Sequence, residues 1–165
     1  MTVTQLDTLE ALRDQRDVDF DEDQQARSLL LRKRHHVTHL IEDAGAAVVT
    51  AEHVMFRCPD HVTDGMQLLS VGVSVQTGWT GAGTNFKTLI LQKRDDAGAN
   101  PVALLTANRD TQVTIVANVI EAQTLTVTAA DLVLAPGEVV TAEVTADGTG
   151  KALGKWSIHL VFEEL

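Results

Sequence analysis

FKTLILQKRDDAGANPVALLTANRDTQVTIVANVIEAQTLTVTAADLVL, residues 86–134, alternates short runs rich in Val, Ile, Leu and Thr with polar breaks. Asp95-Asp96-Ala97-Gly98 ends the run 86–94 as a turn, and runs over 101–107, 111–120 and 124–128 follow. Branched residues suit a half-buried pleated surface, and Gly, Asp and Asn supply the turns between strands. The stretch carries no cluster of residues suited to catalysis. It reads as a plan for a stiff antiparallel scaffold.

The same pattern continues outward on both sides. In 66–76, Leu69, Val71, Val73 and Val75 are expected to face one way and Ser70, Gly72, Ser74 and Gln76 the other. Residues 46–57 are rich in Val and Ala and form an earlier strand, stopped by Cys58-Pro59-Asp60. Ala135-Pro136-Gly137 is a tight turn before a strand over 138–146, and Asp147-Gly148-Thr149-Gly150 turns again. The last strand has the clearest period of two: Trp156, Ile158, Leu160 and Phe162 alternate with Ser157, His159, Val161 and Glu163. About eight short strands with frequent turn signals point to a mainly β fold, an antiparallel β-sandwich of jelly-roll type, over residues 46–165.

Residues 1–45 differ. Val3, Leu6, Leu9 and Leu12 recur at helical spacing after Thr4, a capping residue. A second helix is expected from about Asp21, with Ala26, Leu29, Leu30, Val37, Leu40 and Ile41 on its apolar side and Gly45 as its stop. Arg32, Lys33 and Arg34 form a basic patch on it. The expectation is therefore a helical N-terminal arm over 1–45.

Bulk composition narrows the functional classes. Aliphatic residues dominate a hydrophobic content of 44%, aromatics are 4% and Tyr is absent. A formal charge of -10 argues against nucleic-acid binding, which needs Lys and Arg to displace counterions from phosphates. The single cysteine, Cys58, makes neither an intrachain disulfide nor a Cys-rich zinc site. No apolar run reaches the roughly 20 residues of a membrane helix, so no membrane partner is expected. The acidic N-terminus MTVTQLDTLEALRDQRD lacks a signal-peptide core, and synthesis in the cytoplasm is expected.

Several groups invite a chemical reading, and each has a plainer one. Asp17, Asp19, Asp21 and Asp23 alternate like the opening of a calcium loop, but Glu22 stands where the loop needs Gly and Ser28 where it needs Glu. They read as a solvated acidic linker with a helix cap. His35 and His39, four apart on the expected helix, are metal candidates in principle, with His36 beside them. The interior is not that of HExxH, and basic residues near a helix end complement its dipole. His53, His61 and His159 are scattered, and no GxSxG elbow is present. Cys58 follows an apolar strand and reads as a buried, inert thiol. Gly78-Trp79-Thr80-Gly81-Ala82-Gly83 lacks the ending of a phosphate loop; Trp79 packs either on its own core or on a neighbouring protein. No catalytic residue, cofactor or metal site is assigned.

Three pieces carry a resemblance: TLILQKRDDAGANPVALLT (88–106), LTVTAADLVLAPGEVVTAEVT (125–145) and KWSIHLVFEEL (155–165), of which TAADLVLAPGEVV is the most telling. Their order resembles a β-sandwich module of tailed-bacteriophage virion proteins, the capsid decoration (cement) and head-fibre type. The resemblance covers about half of the chain and leaves out residues 1–45. It implies a non-enzymatic protein, made in the host cytoplasm, that stabilises a capsid surface by binding the major capsid protein. It also implies self-association as a homo-oligomer, commonly a trimer. On that reading the contacts are expected at Leu6, Leu9, Leu12, Arg32, Lys33, Arg34 and Trp79. The alternative is a carbohydrate- or receptor-binding sandwich on a fibre, for which Trp79 and Trp156 are the available aromatics. A small jelly-roll metalloenzyme is a third class, and it needs histidines converging from different strands.

Overall fold

The computed structural model describes residues 33–43, 52–78, 80, 81, 83, 84, 86–146 and 154–165. Ten strands run in chain order: β1 (Arg34–Asp43), β2 (His53–Arg57), β3 (Met66–Val75), β4 (Lys87–Arg94), β5 (Val102–Ala103), β6 (Arg109–Asp110), β7 (Glu121–Gln123), β8 (Val133–Leu134), β9 (Val139–Ala146) and β10 (Gly154–Glu164). Among the described residues one 3-10 turn, Ala129–Leu132, precedes β8. The chain divides into two units, Met1–Lys33 and Arg34–Leu165, and every described strand lies in the second.

The strands form two five-stranded antiparallel sheets. In sheet A the order is β1-β10-β3-β7, with β8 also on β3; in sheet B it is β2-β9-β4-β5, with β6 also on β4. The mainly β, antiparallel expectation therefore holds. One buried cluster takes side chains from both sheets. Sheet A contributes Trp156, Ile158, Leu160 and Phe162 of β10 and Val71, Val73 and Val75 of β3. Sheet B contributes Leu89 and Leu91 of β4 and Val140, Ala142 and Val144 of β9. Burial of each larger aliphatic side chain contributes about 1.5–3 kcal/mol before entropy is counted.

Alternation in β10 follows the sequence closely: the four apolar residues are buried and Ser157, His159, Val161 and Glu163 are not. In β3 one residue departs from it. The ladder pairs Val161 with Ser70 but Phe162 with Leu68, so Leu69 is an extra residue bulged out of register. A bulge inverts a period-two pattern on one side of itself. Hence Leu68 and Met66, not Leu69, continue the buried row of Val71. A second bulge, at Met55, lets both Met55 and Phe56 of β2 reach the core.

Three elements depart from the sequence reading. Residues 34–43 are not helical; they form β1, paired with β10 along its whole length from Arg34 opposite Glu163 to Asp43 opposite Gly154. Val37 and Ile41, with His35 and His39, satisfy strand alternation as well as helical spacing, and the ladder to β10 decides between them. The rest of the expected arm lies outside the described residues. The run 111–120 is not a strand: it crosses the surface with turns at Thr111 and Asn118 and only isolated bridges. The expected strand 101–107 shrinks to Val102–Ala103.

TAADLVLAPGEVV takes the chain from one sheet to the other. Its β8 pairs with β3 of sheet A, and after the turn at Gly137 its β9 enters sheet B. Gly137 sits at φ 86, a left-handed conformation that favours glycine. The Cys58 and Gly137 backbones hold this turn: Cys58 N–H donates to Glu138 O at 2.8 Å and Gly137 N–H to Cys58 O at 3.0 Å. Lys93 Nζ donates to Val133 O at 2.7 Å and lies 3.5 Å from Glu138 Oε2, tying β4 to the same crossing.

Candidate interaction surface

Between β6 and the 3-10 turn the chain runs TQVTIVANVIEAQTLTVT, residues 111–128. Its backbone is pinned at several points. Thr111 N–H donates to Lys87 O at 2.9 Å, while Thr111 Oγ1 accepts from Lys87 N–H at 2.8 Å. Asn118 N–H donates to Val75 O at 2.9 Å, Thr106 N–H to Thr124 O at 3.0 Å, and Thr126 N–H to Leu104 O at 2.9 Å. Arg109 Nη2 lies 2.5 Å from Glu121 Oε2. Ile115 is driven into the core, 2% exposed.

Leu125 packs, partly buried, against the core, and the other large apolar side chains of this segment face solvent. Among the described residues eight large hydrophobics are exposed, and five of them are Val113, Val116, Val119, Ile120 and Val127. A segment with this many branched residues and a single anchored edge buries only those that the core reaches. Contiguous exposed apolar area on a soluble protein marks a surface for association.

Ile120 reaches onto the outer face of sheet A. A Cβ placed on Gly72 would sit 2.6 Å from Ile120 Cγ2 and 3.6 Å from His159 Cβ. His159 is held across that face, its Nδ1 3.1 Å from Thr38 Oγ1 and its Nε2 3.3 Å from Ser157 Oγ. Beside it a shallow open depression of about 230 Å³ is lined by Leu40, Ser74, Gln76, Asn118, Lys155 and Ser157, with Val75 at its floor. Leu40 is 56% exposed. The surface is mixed, polar hydroxyls and amides between aliphatic side chains, which suits protein contact more than capture of a buried small ligand.

The residues singled out in the sequence are placed as follows. Leu6, Leu9, Leu12, Arg32 and Trp79 lie outside the described residues, as do Asp17, Asp19, Asp21 and Asp23. Lys33 is exposed, and Arg34 opens β1 with its Nε 3.7 Å from Glu163 Oε1. His35 and His39 sit on one face of a strand, about 13 Å apart along it, too far for one ion. His36 faces the other way. His35 Nε2 lies 2.8 Å from Glu164 Oε1 instead. Among the described residues no three of His, Cys, Asp and Glu converge to hold a metal, and no helix is long and apolar enough to cross a membrane.

Cys58 is fully buried, with Sγ 3.6 Å from Leu134 O. Burial pushes its thiol up, and the charges of Glu138 and Asp60 push it the same way. A nucleophilic cysteine needs the opposite shift. Trp156 is also fully buried, and its Nε1–H has no hydrogen-bond partner among the described residues.

The exposed row of the 111–128 segment was missed in the sequence because its β-branched run resembles a strand. The available signal was surplus: Val113, Ile115, Val116, Val119 and Ile120 with Asn118 among them do not fit any single period. No protein-family model matches this chain, and a comparison with curated proteins finds no match.

Proposed function

We propose that this chain is a non-enzymatic virion structural protein that decorates and stabilises a bacteriophage capsid by binding the major capsid protein, and that its two sheets are the halves of a jelly-roll-like β-sandwich. The observation that carries the proposal is the pinned crossing 111–128, which holds Val113, Val116, Val119, Ile120 and Val127 in solvent over an aliphatic two-sheet core. A free monomer gains nothing from five exposed aliphatic side chains; a protein that adheres to a shell covers them. The module resembled by 88–106, 125–145 and 155–165 supplies the specific partner. Association of copies with one another belongs to the same reading, since virion modules present open sheet edges that need cover.

The test is co-sedimentation with density-purified particles of the phage that encodes the chain. The wild-type protein is expected to pellet with the shells, and a Val116→Asp, Ile120→Asp variant to remain in the supernatant while keeping its β-sheet spectrum. Equal pelleting of the variant, or no pelleting of the wild type at micromolar concentration, rejects the reading.

A carbohydrate-binding role is the second reading. Trp156 lies in the core, which leaves Trp79 to stack on a sugar, and the mixed aliphatic surface offers no other exposed aromatic among the described residues. A glycan array is the direct check.

A further inference from the structure

We propose that β1 is a two-fold contact: it pairs antiparallel with β1 of a second copy, and sheet A continues across the axis into the partner. It gives a geometry to the self-association named in the proposed reading, and it is tested without shells, so that its failure and the failure of shell binding are distinguishable.

β1 is an edge. It is ten residues long, and among the described residues it forms a ladder on one side only, with β10. A long edge strand presents a row of unpaired N–H and C=O groups to any chain that can match it.

The strand is charge-polar along its length. It begins Lys33-Arg34-His35-His36 and ends Glu42-Asp43. Parallel pairing of two copies stacks like charge on like. Antiparallel pairing sets each basic start against an acidic end.

The pleat then selects the register. Residues opposite Phe162, Leu160, Ile158 and Trp156 of β10 are His35, Val37, His39 and Ile41, so these share the core-side face, while His36, Thr38, Leu40 and Glu42 share the outer one. A continuous sheet must keep that alternation, which removes every one-residue slip. Of the two central registers left, one is centred on Thr38 and opposes Val37 with the partner's His39 and His36 with the partner's Leu40. The other is centred on His39. It opposes Val37 with the partner's Ile41 on the core side, and His36 with the partner's Glu42 and Thr38 with the partner's Leu40 on the outer side. The first keeps Arg34 opposite Glu42 but leaves Val37 and Leu40 opposite histidine; the second sets Val37 against Ile41, His36 against Glu42 and His35 against Asp43, and it covers Leu40, exposed in one copy, with Thr38. An isologous two-fold contact of this kind closes on itself.

The experiment measures mass by light scattering on the full chain and on two charge variants, His36→Glu and Glu42→Lys. The wild type is expected at twice the chain mass. His36→Glu alone sets a carboxylate against Glu42 twice at the axis, and Glu42→Lys alone removes the acid that faces His36 across the axis and Lys155 within its own copy; each is expected to self-associate about tenfold more weakly or worse. Mixed one to one, the two variants restore complementary pairs, and the dimer is expected to return as a heterodimer. A third variant, His39→Cys, places one thiol on the axis opposite itself and is expected to form an intermolecular disulfide when a mild oxidant such as copper phenanthroline is added to take up the two electrons; native Cys58 is buried and does not compete. A monomeric or trimeric wild type, charge variants that stay dimeric alone, or a mixture that stays monomeric overturns the proposal. Failure of His39→Cys to cross-link in a dimeric sample overturns the register.

Discussion

The ring of Phe56 stacks on the ring of Phe162, centroids 4.2 Å apart and planes 21° from parallel. Phe56 belongs to β2 in sheet B and Phe162 to β10 in sheet A, so the pair joins the sheets at the edge where the Met55 bulge turns β2 inward. With aromatics at 4% of the chain, this pair has few equivalents. Phe56→Ala is expected to destabilise by about 2–4 kcal/mol, and Phe56→Leu by roughly half of that, because Leu keeps apolar volume but not the ring contact. Urea unfolding followed by far-UV circular dichroism measures both. Equal losses for the two substitutions would assign the whole effect to area and none to stacking.

Gly65 and Gly72 separate two costs of adding one methyl group. Gly65 has φ 87, and a Cβ there runs into the carbonyl oxygen of Leu134, a backbone atom held in the β3–β8 ladder. Gly65→Ala is expected to cost about 2–3 kcal/mol or more. Gly72 lies in β3 with ordinary backbone angles; its added Cβ collides with the Cγ2 methyl of Ile120 and otherwise makes only ordinary contact with His159. Gly72→Ala is expected to cost under about 1 kcal/mol, since an exposed Ile can swing away. If the proposed virion role holds, it should nevertheless weaken adhesion to shells, because it moves Ile120. Thermal melts and the pelleting assay read the two effects independently.

How far the sequence could be read depended on whether a signal was local. Trp156, Ile158, Leu160 and Phe162 announce β10 because alternation is visible within the strand itself. The sequence of β1 reads as a helix because Val37, Leu40 and Ile41 fit a helical face, while its actual partner β10 lies more than a hundred residues later in the chain. No local period carries that information. Alternation alone places Leu69 inward because a bulge is a property of the pair, decided where Phe162 meets Leu68. The run 111–120 has strand propensity without a strand's ladder, which is what context-dependence of β propensity means in practice. The exposed apolar surface is less legible still. The residues expected to make contact came from the N-terminal segment and Trp79, whereas the described apolar surface comes from a run that looked like core.

Acid should weaken the fold through Glu52 and Asp95. The Thr141 hydroxyl, and after it Arg94 with its Nε 2.6 Å away, hold the Glu52 carboxyl below its usual range, against an opposing effect of burial. The Ala99 N–H at 2.7 Å and then the Asn100 amide do the same for Asp95 in the β4–β5 turn. A carboxyl lowered in the folded state contributes stability above its unfolded pKa of about 4, and that contribution disappears as pH falls through the folded value. Glu52→Gln is therefore expected to lower the melting temperature at about pH 7 and to match the wild type near pH 2, where both side chains are neutral. Melts across that range check the sign. A constant offset at every pH would mean that packing, not ionisation, is what Glu52 contributes.

Cys58 should be silent until the fold opens. Its Sγ is fully buried behind β8, and burial together with Glu138 and Asp60 keeps it protonated beyond the ordinary thiol range. A thiol reagent at mildly alkaline pH is expected to modify the native protein at the rate of global or local opening, orders of magnitude slower than the unfolded chain. Adding denaturant past the unfolding midpoint should release one equivalent at once. Fast modification of the native state would place Cys58 on a mobile edge rather than in the core.

Ile115 and its neighbours Val113 and Val116 distinguish structure from adhesion within a few residues of one segment. Ile115 is 2% exposed, whereas Val113 and Val116 are 60% and 57% exposed. Ile115→Ala leaves a cavity and is expected to cost about 2–4 kcal/mol, loosening the whole crossing from the core. Val113→Thr and Val116→Thr keep branched shape, place a hydroxyl in water and are expected to change stability by under about 0.5 kcal/mol. If the crossing is a contact surface, the two Thr variants together should lower affinity for shells about tenfold or more, since each buried methyl lost at an interface and each hydroxyl left without a partner adds to the deficit. The comparison is internal: Ile115→Ala acts on melting temperature first and on adhesion only through it, while the Thr pair acts on adhesion with the melt unchanged. Thr variants that bind as the wild type does would mean that the exposed valines of 111–128 are not what the protein adheres with.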